Sequence, residues 1–150
     1  MTLNRKIAYI DLSTGVIETA PIPVEMRKLY LGGRGLDMYL LYNHLKPGVD
    51  PLGPNNVLTI SAGLLVGTLA SASARTHIGA KSPLTGFVGS SNMGGFFAPE
   101  LRWAGFDHLV VKGKAEGPST GGLRQGLCIT RALLCRGRPE ESSSPNSSQT

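Results

Sequence analysis

The segment "SARTHIGAKSPLTGFVGSSNMGGFFAPELRWAGFDHLVV", residues 73–111, decides the fold class of this sequence. Within it, "ARTHIGAKSP" and "GFVGSSN" predict two strands around the turn "SPLTG". "APELRWAG" predicts a short helix, because a proline is tolerated in a first helical turn and a glycine often ends a helix. The apolar run in "FDHLVVKGKA" predicts another strand. Short strands with few helices indicate an α+β fold, not a doubly wound α/β fold.

The residues before this segment continue the same pattern. "KIAYIDLSTGVIETAPI" predicts a β-hairpin, and "VEMRKLY" predicts a short helix between a proline and a glycine pair. "GGRGLDMYLLYNHL" has two apolar stripes at helical spacing, which predicts a buried helix. "VLTISAG" predicts a buried strand. We therefore expect mostly antiparallel β-sheets with a few short helices.

Composition excludes several classes of function. The chain of 150 residues has a net charge of +5 but no basic stripe with interleaved aromatic residues, so we predict no nucleic-acid partner. The segment most like a membrane span, the uncharged residues 57–74, is broken by glycines and hydroxyl residues, so we predict no membrane span. The two cysteines, Cys128 and Cys135, have no zinc or redox spacing, and no secretion signal is visible. We predict a cytoplasmic protein.

The composition changes after Pro118. Residues 119–150 are rich in serine, arginine and glycine, and their last part has too few apolar residues to build a core. We therefore divide the chain into a folded domain, 1–118, and a tail, 119–150, that we predict to be disordered.

Three features could contact a ligand. Arg75 follows a long stretch without charge, and its guanidinium either binds a phosphate or heterocyclic edge or simply points to water at a strand end. Asn92 and Gly94 either let the backbone approach a ligand or form a plain turn. The glycine loop at 31–37 either binds a phosphate at a helix start or caps the helix.

The residues alone do not predict a catalytic site. His44, His77 and His108 are isolated in the sequence, without metal-ligand spacing, and we interpret them as structural or solvated. Ser82 has no nearby histidine and aspartate that would activate it as a nucleophile. The chain therefore looks like a binding domain.

Several stretches, in the right order, resemble the N-terminal domain of the tungsten-containing aldehyde ferredoxin oxidoreductase family. They lie between Ile7 and Gly117 and read "IDLSTG", "LGGRGL", "DPLGPNN", "AGLLVGT", "KSPLTGF" and "NMGGFFAPELRWAGFDHLVVKGKA". The resemblance implies a domain that forms the base of a bis-pterin tungsten (or molybdenum) cofactor. It implies that Arg75, Asn92 and Gly94 contact the cofactor, and that the backbone carbonyl of Asn92 binds a magnesium ion bridging the pterin phosphates.

The same resemblance implies a function for the whole family member. That function is oxidation of an aldehyde to a carboxylate, with electrons passing through a [4Fe–4S] cluster to ferredoxin; a homo-oligomer is compatible with it. Two cysteines cannot supply four cluster ligands, and neither matches the cluster motif. From Ser119 the resemblance ends, so we expect a truncated or frame-shifted product that is inactive alone. The alternative is a non-catalytic or defective remnant that binds no cofactor.

Overall fold

The computed structural model describes residues 5–115 together with the strands at 121–124 and 127–130. The strands of the main sheet are β1 (Lys6–Asp11), β2 (Ile17–Pro21), β3 (Val57–Ala62), β4 (Thr76–Lys81), β5 (Val88–Met93) and β6 (His108–Lys112). The helices are α1 (Val24–Tyr30), α2 (Arg34–His44) and α3 (Phe97–Trp103). A separate two-stranded sheet pairs β7 (Gly121–Arg124) with β8 (Leu127–Thr130).

The main sheet has six strands in the order β2-β1-β6-β3-β4-β5. All neighbouring strands are antiparallel except β1 and β6, which pair in parallel. The last strand of the sheet in sequence, β6, therefore joins the N-terminal hairpin to the β3–β5 meander. The α+β class with mostly antiparallel strands is confirmed.

Helices cover both faces of this sheet, and alternation along the strands divides the core between them. On the face covered by α1 and α2, here called the α2 face, the buried cluster includes Ile7, Leu36 and Val110. On the opposite face, covered by α3, the cluster includes Ala8 and Leu101. Because α2 packs on β3 and β4, the α2 face of β5 is left open, and Ser90 and Asn92 on that strand are exposed.

The apolar residues predicted on α2 are not equally buried. Leu36, Leu40 and Leu41 are buried, but Tyr42 is 83% exposed, because only one side of the helix contacts the sheet. The prediction of a buried helix therefore holds for the side of α2 that faces the sheet, but not for Tyr42.

The glycine loop at 31–37 has a structural explanation. Gly33 is the N-cap of α2 with φ +56°, and its carbonyl accepts a hydrogen bond from the Asp37 N–H at 3.0 Å. A Cβ on Gly35 would lie 2.9 Å from the Tyr30 carbonyl oxygen. Both glycines are thus required by the turn between α1 and α2, which accounts for the loop through helix capping alone.

The division at residue 118 and the disorder of 119–150 stay predictions. Within that range the structure describes β7 and β8 only, and Cys128 belongs to β8, whereas Cys135 lies outside the described residues. Among the helices described, none has the length and apolar character needed to cross a bilayer.

Candidate functional site

Arg75 lies one residue before β4, and its side chain is exposed. Its carbonyl accepts a hydrogen bond from the Gly63 N–H at 2.9 Å, which fixes its backbone beside the end of β3. The backbone from which the Arg75 side chain extends is therefore held at the end of the sheet.

Asn92 lies on β5, the last strand of the sheet, directly opposite His77. In an antiparallel pair, opposite residues alternately share and lack backbone hydrogen bonds. Ser82 N–H donates to the Phe87 carbonyl at 2.8 Å, so Ser82 and Phe87 form a hydrogen-bonded pair. His77 and Asn92 lie five positions further along the same register, so they form a pair without mutual backbone hydrogen bonds. The Asn92 carbonyl is thus directed away from β4, toward the open edge.

Gly94 follows β5 immediately and is exposed. A Cβ built on it would meet nothing closer than the Ala74 carbonyl oxygen, at 3.8 Å. Its φ is not in the positive range, unlike that of Gly95, at +102°. Nothing within the described residues therefore requires glycine at position 94.

These residues share one end of the β4–β5 pair. Arg75 precedes the start of β4, and Asn92 and Gly94 lie at the end of β5, since Thr76 is paired with Met93. We call the open surface made by Arg75, Ser90, Asn92 and Gly94 the β4–β5 ledge. A cavity of about 590 Å³ includes Gly95, the residue after Gly94, and its lining contains two exposed aromatic side chains, Phe96 (82% exposed) and Trp103 (62%).

A buried polar network lies beneath the ledge, between α2 and the sheet. Asp37 Oδ1 accepts a hydrogen bond from the Ser61 hydroxyl at 2.6 Å, and Asp37 Oδ2 lies 2.7 Å from His77 Nδ1. His108 Nδ1 lies 2.7 Å from the Ser61 hydroxyl, and His77 Nε2 lies 2.8 Å from the Ser90 hydroxyl. The network thus runs from the centre of the sheet to the exposed ledge.

Sequence reasoning missed this network. Asp37 and His77 are 40 residues apart, and Ser61 and His108 are 47 apart, so no motif connects them. One signal was present: Asp37 interrupts the apolar stripe of α2, and a charged residue there is rarely buried without partners. The histidines His77 and His108, interpreted as structural or solvated, are both buried and hydrogen-bonded.

Burial controls the protonation of this network. It raises the pKa of the Asp37 carboxyl, although hydrogen bonds from Ser61 and His77 oppose the shift. Burial, together with the positive charge of Arg102, lowers the pKa of His108 to about 3. His108 is therefore neutral at pH 7, and because the Ser61 proton goes to Asp37, His108 Nδ1–H donates to Ser61.

His108 should make the fold sensitive to acid. Its folded pKa of about 3 is below its ordinary value of 6.5, so its contribution to stability is present above pH 6.5 and falls as the pH decreases toward 3. Because of His108 alone, we expect the free energy of unfolding to decrease by about 2 kcal/mol between pH 6.5 and pH 5.

The variant His108→Asn keeps an N–H donor for Ser61 but cannot titrate. Urea denaturation of both proteins at pH 7 and pH 5 measures the difference. We expect a smaller loss for His108→Asn than for the wild type, and parallel losses would contradict the burial-driven shift.

Acidic clusters do not offer a metal site here. Residues 5–115 contain no group of three or more His, Cys, Asp or Glu side chains placed to hold a metal ion. An ion at the β4–β5 ledge would therefore need other oxygen ligands, such as the Asn92 carbonyl.

Comparison with known proteins gives consistent matches. The family model described as aldehyde ferredoxin oxidoreductase, N-terminal domain, matches residues 7–124. The tungsten-containing aldehyde ferredoxin oxidoreductase of Pyrococcus furiosus is 50% identical over 109 residues, covering 73% of this chain and 18% of that protein. The aliphatic sulfonate oxidoreductase WOR-like subunit of the same organism is 34% identical over 118 residues, covering 77% of this chain and 19% of the subunit.

A solved structure is also similar. It is the active-site complex BamBC of benzoyl coenzyme A reductase with 1,5-dienoyl-CoA, with a TM-score of 0.82 and 35% sequence identity. The match covers 86% of this chain and 20% of the solved chain. This chain thus spans about a fifth of the length of the proteins that it matches.

Proposed function

This chain belongs to the aldehyde ferredoxin oxidoreductase family, as its N-terminal domain, and we propose that its β4–β5 ledge binds a tungstopterin cofactor. In the proposed whole enzyme, a cytoplasmic one, an aldehyde is oxidised to a carboxylate and electrons leave through a [4Fe–4S] cluster to ferredoxin. The domain supplies cofactor placement and is inactive alone. The cofactor, when bound, supplies the redox chemistry.

The observation that carries this proposal is the outward-facing Asn92 carbonyl on the last strand of the sheet. A magnesium ion prefers hard oxygen ligands, and a backbone carbonyl directed to the open edge of the sheet is such a ligand. The exposed Arg75 guanidinium at the same end can bind a phosphate or the edge of a pterin in a bidentate manner. A carbonyl oxygen that can bind magnesium and a guanidinium that can bind a phosphate or pterin edge fit a flat, phosphate-bearing cofactor.

The exposed apolar residues beside the ledge support the proposal. Phe96 and Trp103 line the cavity that includes Gly95, and an exposed apolar patch of this kind usually marks a surface that another group covers. A large cofactor with further protein around it would cover such a surface.

The names of the relatives bear on the choice of substrate. They mention an aldehyde, an aliphatic sulfonate and benzoyl coenzyme A, although all three proteins match the same domain. We infer that the ledge holds the cofactor and that other parts of the enzyme select the substrate. A small aldehyde is the substrate that we propose, and tungsten rather than molybdenum is the metal.

The variant Gly94→Ala tests whether cofactor binding requires glycine at position 94, since folding does not. Because nothing within 3.8 Å would meet the new Cβ, we expect the free energy of unfolding to change by less than about 0.5 kcal/mol. If the cofactor packs against this backbone, the methyl group should lower the pterin retained by the protein several-fold.

The test is to purify the wild type and Gly94→Ala from cells grown with tungstate, and to assay pterin by fluorescence after oxidation. Gly89→Ala, on the same strand but without a proposed role, is the matched control. Equal pterin in Gly94→Ala and the wild type would remove Gly94 from the proposed site. A wild type without pterin would favour the alternative of a remnant that binds no cofactor.

A further inference from the structure

The loop between β3 and β4, residues 63–75, carries Arg75 at its end. It is described throughout and consists of turns and irregular backbone. The Gly63 N–H donates to the Arg75 carbonyl at 2.9 Å, and the Arg75 N–H donates to the Ser73 carbonyl at 2.8 Å. The Ser73 hydroxyl in turn donates to the Leu65 carbonyl at 2.9 Å. Both backbone hydrogen-bonding groups of Arg75 are therefore bound within this loop, and the position of Arg75 depends on where the loop is held.

Arg102 connects this loop to α3. Its side chain is buried, and its Nη1 donates a hydrogen bond to the Val66 carbonyl at 2.9 Å. The Val66 N–H donates to the Gly63 carbonyl at 3.1 Å, so the same short turn contacts both Arg102 and Arg75. A Cβ built on Gly67 would lie 3.8 Å from Arg102 Cδ, so the loop backbone also packs on the stem of this arginine.

Asp107 fixes Arg102 at the end of the main sheet. Arg102 Nε lies 3.1 Å from Asp107 Oδ1, and both side chains are buried. The other carboxylate oxygen of Asp107 accepts a hydrogen bond from the Arg5 N–H, and its backbone carbonyl accepts one from the Ala62 N–H at 2.9 Å. A buried guanidinium needs a compensating charge, and Asp107 supplies it from a position bound to β1 and β3.

The chemistry of arginine fixes the direction of these contacts. An arginine stays protonated and can only donate, so the Val66 carbonyl must be the acceptor. The planar guanidinium directs Nε and Nη1 along different lines, one toward Asp107 and the other toward Val66. A lysine at position 102 would keep the charge but has one terminal nitrogen, so it cannot reproduce contacts made from two nitrogens.

We propose that Arg102 is a positioning residue of the β4–β5 ledge. It fixes the 63–75 loop from its buried side and thereby fixes the backbone from which Arg75 reaches the cofactor. The inference rests on the proposed function, because it assumes that Arg75 contacts a bound cofactor. It adds a residue that affects cofactor binding from α3, a helix that contributes no residue to the ledge itself.

Hydrogen exchange at the Gly63 N–H, followed by NMR, measures how firmly the loop holds Arg75, and it needs no cofactor. The variant Arg102→Lys keeps a positive charge beside Asp107 but loses the two-nitrogen geometry. We expect it to speed exchange at Gly63 about tenfold, the usual effect of losing one hydrogen bond to a charged group.

Leu40→Ala is the matched control for a general loss of stability. Leu40 is buried on the α2 face, away from the 63–75 loop, and its truncation leaves a cavity in the core. Because local opening of the loop does not depend on that cluster, exchange at Gly63 should stay within about twofold of the wild type.

Retained cofactor tests whether Arg102 acts through Arg75. The wild type, Arg102→Lys, Arg75→Ala, the double variant and Leu40→Ala are purified from cells grown with tungstate, and pterin is assayed by fluorescence. We expect several-fold less pterin in Arg102→Lys and none of this loss in Leu40→Ala. The double variant should match Arg75→Ala within about twofold, whereas independent effects would add.

The results separate this inference from the proposed function. Unchanged exchange at Gly63 in Arg102→Lys, or an equal rise in Leu40→Ala, would overturn the inference alone. Normal pterin in Arg102→Lys, with a loss in Arg75→Ala, would also overturn it and leave the proposed function standing. A wild type without pterin would overturn both. If Arg102→Lys does not fold, Asp107→Asn, which removes the charge of the partner but keeps its shape, should give the same changes.

Discussion

Asp37→Ala is expected to lower the free energy of unfolding by about 3–5 kcal/mol, the cost of removing one partner from a buried charged network. Asp37 is fully buried and accepts the Ser61 proton at 2.6 Å. Its loss would leave Ser61 and His77 without their acceptor in an apolar interface, and would open a cavity between α2 and β3. Urea denaturation at pH 7 measures the effect.

Two further variants test whether the loss of stability is specific to the hydrogen bonds of Asp37. Glu18→Ala removes an exposed carboxylate from β2 and should change the free energy of unfolding by less than about 0.5 kcal/mol. Asp37→Asn keeps the shape and an acceptor for Ser61, and its amide can donate to His77 Nδ1. We therefore expect a smaller loss for Asp37→Asn than for Asp37→Ala. Similar losses for Asp37→Ala and Glu18→Ala would show that the network does not stabilise the domain.

Local sequence patterns predicted the elements of this fold for physical reasons. Ile7 and Ala8 alternate between the two faces of the sheet, and Gly15, with φ +71°, allows the turn between β1 and β2. These are interactions between near neighbours, which a sequence displays directly. The parallel pairing of β1 with β6 joins residues about a hundred positions apart, and no local pattern encodes it.

The candidate site was predictable only in part. Arg75 and Asn92 stood out by composition, but residue chemistry alone left each with a structural alternative, and the family resemblance assigned their roles. The strand register shows that the Asn92 carbonyl faces the open edge, and this direction cannot be read from the sequence. The buried network was invisible because Asp37, Ser61 and His77 come together only when α2 packs on β3 and β4.

Arg75→Ala should have the largest effect on the cofactor. Arg75 is exposed and its side chain contributes little to packing, so we expect the free energy of unfolding to change by less than about 0.5 kcal/mol. A guanidinium that binds a phosphate or pterin edge in a bidentate manner is a strong contact, and its removal should lower retained cofactor about tenfold or more.

Lys46→Ala is the matched control for charge. Lys46 is exposed and lies just beyond the C-terminal end of α2, whereas Gly33, at the other end of that helix, approaches Gly63 beside Arg75. Removing this positive charge should therefore leave the ledge unchanged. A loss of cofactor in both variants would indicate a general charge effect instead of a contact made by Arg75.

The central claim is that the β4–β5 ledge holds a tungstopterin. Its most direct test is the tungsten and pterin content of the purified wild type, Arg75→Ala and Lys46→Ala, prepared from the same cells grown with tungstate. We expect tungsten and pterin to co-purify with the wild type and with Lys46→Ala, and to fall about tenfold in Arg75→Ala. Equal contents in all three proteins, or no pterin in the wild type, would contradict it.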